Sequence, residues 1–317
     1  MRSVAFTRYT WAVLAFTLAV VVWGGLVRAS RSGDGCGANW PTCNGALFPK
    51  APLLKTRIEY THRLMSGASL LLTAGLAGWA FLRFPRRSWP RRGAATALAF
   101  SCSEALIGAT IVLLRLVGAD SSVTRVVGMG LHLVSTFFLL AALLLTALWA
   151  AGLAPLRLRG QAPVGTLLWA SLGALLVLGM SGALAALGDT LFPVHTLAEG
   201  LAQDTSPTAH FLLRLRILHP LLAGFGASLL LATAAVAALL RPSAAVRRAA
   251  LAVACVVALQ LAVGLLNLFL LAPVPLQLLH LLLADAVWLA VVGLGAYALA
   301  ADAPRLGRTD GRRALWT

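Results

Sequence analysis

Charge is what this 317-residue sequence has least of, and negative charge above all. Only 11% of its residues are charged, and aspartate and glutamate together number 10. A soluble fold needs a charged shell, and the 60% hydrophobic content exceeds what a soluble core could use. That excludes a soluble globular protein and leaves a polytopic membrane protein. The net charge of +16 does not indicate a nucleic-acid binder, because no separate basic domain carries it. Arginine in cytoplasmic loops accounts for it instead. Cysteine is scarce too, with four in all. Cys102 and Cys255 stand singly inside apolar runs and read as small core residues. Cys36 and Cys43 share a polar, Gly- and Pro-rich loop, which suits a disulfide if that loop faces an oxidising compartment. Six residues separate them, unlike the CxxC of thioredoxin-type sites. The first apolar run, Trp11 to Val27, lacks a small-x-small cleavage site and is counted as a span.

Eight apolar runs are expected to cross the bilayer: 10–28, 58–82, 94–117, 127–150, 165–187, 211–239, 246–271 and 277–300. Arg2 and Arg8 precede the first, and Arg83, Arg86, Arg87, Arg91 and Arg92 separate the second from the third. Arg157 and Arg159 follow the fourth, Arg241, Arg247 and Arg248 the sixth, and Arg305, Arg308, Arg312 and Arg313 the eighth. That puts 16 of 26 basic residues on one side. By the positive-inside rule this side is cytoplasmic, with both termini inside and the Cys36/Cys43 loop outside a cell membrane. The opposite side carries Asp34, Asp120, Asp189, Glu199 and Asp204.

Within this topology His62, His132, His219 and His280 each fall one to two turns into an even-numbered span, at similar depth. The halves also repeat. Gly25 and Gly182, His62 and His219, and Gly67 and Gly224 are each 157 residues apart. Glu104 with Gly108 matches Gln260 with Gly264 at a spacing of 156. The expected fold is therefore all-α, eight transmembrane helices forming two pseudo-symmetric four-helix bundles, residues 1–155 and 156–317.

Ionisable residues in hydrocarbon are costly and ask for a partner or a task. Two neutral imidazoles facing each other across a bundle can ligate a haem iron from both sides. Zinc would want three or four clustered ligands, and an interhelical hydrogen bond is the bland reading of any one histidine. A proton-relay transporter is a further alternative. Glu59, three residues before His62, either acts as a general base or charge stabiliser or closes a capping box with Thr56 at the start of a helix. The repeat puts Arg216 at the corresponding place before His219, an asymmetry that suggests different tasks for the halves. Arg63, Arg214 and Arg216 suit haem propionates, or water and lipid headgroups. Glu104 and Asp285 show no evident partner, and His195 and His210 fall in a long outer segment, 188–210, that suits solvated side chains. Cys36 and Cys43 remain either a staple or a redox-active pair near a haem edge.

The ordered set GGLVRAS, SGDGCGANWPTCNG, EYTHR and single histidines in spans four, six and eight resembles the haem A synthase family over essentially the whole chain. The resemblance implies a membrane oxidoreductase that converts the methyl group of haem O to the formyl group of haem A. It implies a catalytic first half using Glu59, His62 and His132, and a second half holding haem b on His219 and His280. Haem O as substrate, a haem O synthase and a membrane quinone are the partners it suggests. A di-haem quinol-linked electron carrier and a non-enzymatic haem chaperone or transporter are the competing classes. One departure stands out: family members with this first cysteine pair commonly carry a second in the later outer loop, and residues 188–210 contain none.

Overall fold

The structure is a computed structural model that describes residues 3–50 and 53–301. Arg2, Arg305, Arg308, Arg312 and Arg313, used above for orientation, lie outside the described residues. The described chain is helical: α1 (Val4–Ala29), α2 (Leu54–Arg83), α3 (Trp89–Leu113), α4 (Val123–Ala150), α5 (Val164–Leu191), α6 (Leu197–Thr205), α7 (Phe211–Arg216), α8 (Leu218–Leu240), α9 (Ala244–Phe269) and α10 (Val274–Ala298). Among these residues eight helices are long and apolar enough to cross a membrane, with α7 and α8 counted as one span. At about 1.5 Å per residue each reaches across a hydrocarbon core of about 30 Å. The chain is a multi-pass membrane protein.

Two departures from a simple eight-span pattern have local causes. Pro220 cannot donate the i→i−4 bond that would be accepted by the Arg216 carbonyl, so the sixth span breaks at Ile217 into α7 and α8. The long outer segment holds α6, which Thr196 caps by accepting the Glu199 backbone N–H at 3.1 Å. The Glu199 carboxylate turns back to accept the His195 N–H at 2.7 Å. This is a close variant of the capping box.

Helix contacts run α1–α2–α3–α4 and back from α4 to α1, and α5–α8–α9–α10 and back from α10 to α5. Between these groups, α1 and α4 both pack on α5 and α10. The stacked rings of Phe137 (α4) and Trp288 (α10), 4.7 Å apart, lie at that seam. The Trp288 indole N–H donates to the Phe137 carbonyl at 2.6 Å, which fixes the register of the two helices. Arg28, at the end of α1, reaches across the same seam. Its guanidinium donates to the Ala186 carbonyl and Thr190 Oγ1 of α5 and to Gln277 Oε1 of α10.

Cys102 and Cys255 are exposed rather than in the core. The reading of apolar surroundings as interior fails here because a span's outer face meets lipid, and a small apolar side chain is as stable there as inside.

Candidate functional site

The disulfide loop is built onto the first turns of α2. Cys36 and Cys43 are bonded to each other, as the sequence suggested. Gly35 lets the loop lie against the helix backbone, since a Cβ there would stand 2.6 Å from the Lys55 carbonyl carbon. Thr56 Oγ1 donates to the Gly35 carbonyl at 2.8 Å. The capping box proposed for Thr56 and Glu59 does not form: α2 begins at Leu54, with Leu53 as its N-cap and no side-chain cap. Glu59 is instead buried, at 3% exposure. Its Oε2 accepts the Cys36 backbone N–H at 2.7 Å, and its Oε1 pairs with Arg63 at 2.5 Å. Arg63 also donates to the Asn39 and Thr42 carbonyls. One carboxylate and one guanidinium thus tie the loop to the helix that carries His62.

Arg216, at the repeat-related place, is likewise paired. It donates to Asp189 at 2.9 Å and to Asp204 at 2.5 Å. Arg214 donates to the Pro207 carbonyl. His195 is exposed. His210 instead caps α7 through Nδ1, which accepts the Leu212 N–H at 3.3 Å, and its ring packs at a tilt against Phe192 and Phe211.

The four histidines occupy matching places. His62 is the ninth residue of α2, His132 the tenth of α4 and His280 the seventh of α10, while His219 is nine residues into the broken sixth span. The His219 and His280 rings stand 6.4 Å apart, nearly perpendicular at 87°. Two imidazole–metal bonds of about 2 Å each, with the ring radii added, span such a gap. His62 and His132 lie within electrostatic range of each other.

Three of these rings are seated against a glycine on the neighbouring helix. A Cβ on Gly24 would stand 3.0 Å from His62 Cε1, one on Gly182 2.9 Å from His219 Cε1, and one on Gly264 2.7 Å from His280 Cε1. The glycine repeat is therefore Gly24 with Gly182, 158 apart. Gly25, chosen from the sequence, faces Leu281 and Leu278 of α10 instead. A one-residue error in a helix turns the position by about 100°. Gly67, Gly108 and Gly224 have no neighbour within 4 Å of a Cβ and hold no ring.

The ring nitrogens differ in their company. His219 Nδ1 lies 3.0 Å from Ser181 Oγ, which leaves its Nε2 for a ligand. At the corresponding place in α1 is Trp23, whose indole donates to the Ile58 carbonyl at 3.0 Å, and buried His62 Nδ1 has no hydrogen-bond partner. His132 Nδ1 is 2.9 Å from Glu104 Oε2, an ion-pair contact too bent for a straight hydrogen bond. Thr136 Oγ1 donates to the same carboxylate oxygen at 2.7 Å. The Gln260 amide lies 3.4 Å from His280 Nε2. Asp285 is 1% exposed, with its Oδ2 unpartnered. Four half-buried imidazoles, two of them with rings facing each other at 6.4 Å, form a donor set that suits haem iron with an axial ligand on either face. The residues present fit that group.

Sequence reasoning missed Ser181 as the partner of His219 and Glu104 as the partner of His132. Their positions were legible in the repeat, but nothing in the pattern gave the rotations of the helices. It also missed Arg28, a lone arginine at a helix end whose three acceptors come from helices some 160 to 250 residues away.

Eight membrane-spanning helices, four of them carrying one of these histidines at matching places, define a multi-pass membrane protein with a repeated histidine site. Residues 7–292 match the COX15-CtaA family, cytochrome oxidase assembly proteins, and the chain belongs to this family of haem A synthases. It is 47% identical over 99% of its length to a Thermus thermophilus protein named protoheme IX farnesyltransferase. The chain spans about half the length of that relative, 52%. It is 41% identical over 96 residues to a heme A synthase of an Exiguobacterium species, covering 30% of this chain and 32% of that protein. A Bacillus licheniformis heme A synthase is 36% identical over 118 residues, 37% of each chain.

Proposed function

We propose that the protein is a haem A synthase, which oxidises the methyl group of haem O to the formyl group of haem A. Membership of the family supports the activity. The single structural observation that carries the reading is the facing of the His219 and His280 rings, 6.4 Å apart. In this reading residues 1–155 hold the substrate haem between His62 and His132, with Glu59 beside it. Residues 156–317 hold a haem b between His219 and His280. A haem b held there by His219 and His280 would supply one-electron redox chemistry, with a membrane quinone as the partner acceptor. The protein's own residues place and orient. The glycine notches hold the rings, Ser181 fixes the His219 tautomer, and Glu59 offers a carboxylate oxygen near the reacting edge.

The reading also sets the protein in a cell membrane with the disulfide loop outside and both termini inside. The Thermus relatives carry a farnesyltransferase name and extend well beyond the part matched here. That name describes whole proteins of roughly twice this length, and it supports a haem O synthase as the source of substrate. Farnesylation must precede the oxidation, so the two activities are consecutive.

The test is co-expression with a haem O-producing enzyme, followed by pigment extraction and identification by mass. Haem A beside haem b is expected, and Glu59→Gln is expected to abolish haem A while leaving haem bound. Two unaltered haem b per chain, whatever haem O is supplied, would instead establish an electron carrier.

A further inference from the structure

We infer that Glu104 is a positioning residue that gives His132 an anionic backing which none of the other three histidines has. The inference rests on the haem-ligand reading of His132 proposed above. Glu104 sits in the middle of α3, where a carboxylate is costly without a counter-charge. Its ion-pair partner is His132, at 2.9 Å from Nδ1. Thr136, one turn along α4 from His132, donates its hydroxyl to the same Oε2 at 2.7 Å. The other oxygen, Oε1, is buried and has no hydrogen-bond partner.

The other three imidazoles are treated differently. His219 Nδ1 meets the neutral Ser181 hydroxyl. His62 Nδ1 and His280 Nδ1 are buried without a partner. The repeat replaces Glu104 with Gln260, which cannot carry charge, and Gln260 lies at His280 Nε2 rather than Nδ1. Among the described residues, only α3 and α4 therefore bring a carboxylate to one of the four imidazoles.

The chemistry of that difference is specific. A carboxylate 2.9 Å from Nδ1 favours the tautomer with its proton there even without a straight hydrogen bond, which presents Nε2 as the ligand nitrogen and raises the basicity of the ring. A more basic axial ligand stabilises ferric over ferrous iron and lowers the reduction potential. Glu104 thus sets the first-half haem at a lower potential than a Ser- or amide-flanked histidine would, which directs electrons toward the second half. Thr136, by occupying the same carboxylate oxygen, moderates the effect.

The test is redox titration of the full-length protein purified in detergent, each haem followed by its own visible band, with haem content measured per chain. In Glu104→Gln the first-half potential is expected to rise while the second-half potential stays. In Thr136→Val, which frees the carboxylate for His132, the first-half potential is expected to fall. Unchanged potentials in Glu104→Gln with haem retained would overturn the inference, as would a loss of thermal stability alone. If Glu104→Gln cannot retain its haem, Thr136→Val decides: a fall supports the inference and no shift overturns it. His132→Ala separates the two levels. If it leaves haem content and spectrum unaltered, the ligand reading itself is wrong.

Discussion

The backbone N–H of Cys36 is bonded to the carboxylate of Glu59, 2.7 Å from Oε2. A loop closed by a disulfide and the acid three residues before a candidate ligand are thus one unit. Arg63 completes it, pairing with Glu59 and with two loop carbonyls. Glu59→Ala strands both the N–H and the guanidinium, and breaking a buried pair this way costs about 3 kcal/mol. Glu59→Gln keeps an acceptor for Cys36 and should cost about half as much. Thermal unfolding in detergent, compared between the two variants, checks this order. Equal losses would mean that the Cys36 bond contributes nothing.

Room for the imidazole rings depends on single hydrogen atoms. Gly182→Ala and Gly264→Ala place a methyl 2.9 and 2.7 Å from the Cε1 of His219 and His280. Overpacking of this kind costs about 1–3 kcal/mol, and both variants should lose bound haem from the second half. Gly224→Ala meets nothing within 4 Å, so it should be neutral or gain up to about 1 kcal/mol from helix propensity. Haem per chain by absorbance and the melting temperature separate these cases.

Ser181 Oγ lies 3.0 Å from His219 Nδ1 and leaves Nε2 open. Removing such a partner typically weakens metal retention about 10-fold or more. Ser181→Ala should therefore release haem faster to an excess of a haem-scavenging protein, with little change in melting temperature. An unchanged release rate would show that the hydroxyl does not orient the ring.

Arg216 holds Asp189 of α5 and Asp204 of α6 together. Arg216→Met leaves two adjacent acids without their cation and should destabilise by about 3 kcal/mol. Adding Asp204→Asn to that variant should recover part of the loss. Melting temperatures of the single and double variants form the check, and strict additivity would argue against the pair.

The spans were legible because eight uninterrupted apolar runs leave few alternatives, and the Cys36–Cys43 pair because its loop is short and polar. The repeat located the histidines as well. What the sequence hid was rotation and long-range company. Gly25 fits the 157-residue spacing of the histidines and Gly24 does not, yet the helix turn puts Gly24 against the ring. Arg216 and Glu59 looked like an unmatched base and acid, yet each has local partners of the opposite charge within 30 residues. Cys102 and Cys255 looked internal because, in a membrane helix, hydrophobicity does not distinguish the face toward protein from the face toward lipid. Helix α6 was readable from Thr196 and Glu199 but was masked by its exposed, mixed composition.

Gly24 and Gly25 are consecutive, yet one is seated against His62 of α2 and the other against Leu278 and Leu281, which flank His280 on α10. At this level α1 offers no side chains, only a backbone cylinder of about 2.3 Å Cα radius. The approach of α1 to α2 on one side and to α10 on the other is thus as close as polypeptide allows. Bulk added at Gly24 would press on the His62 ring, whereas bulk added one residue later would push α10 away from α1.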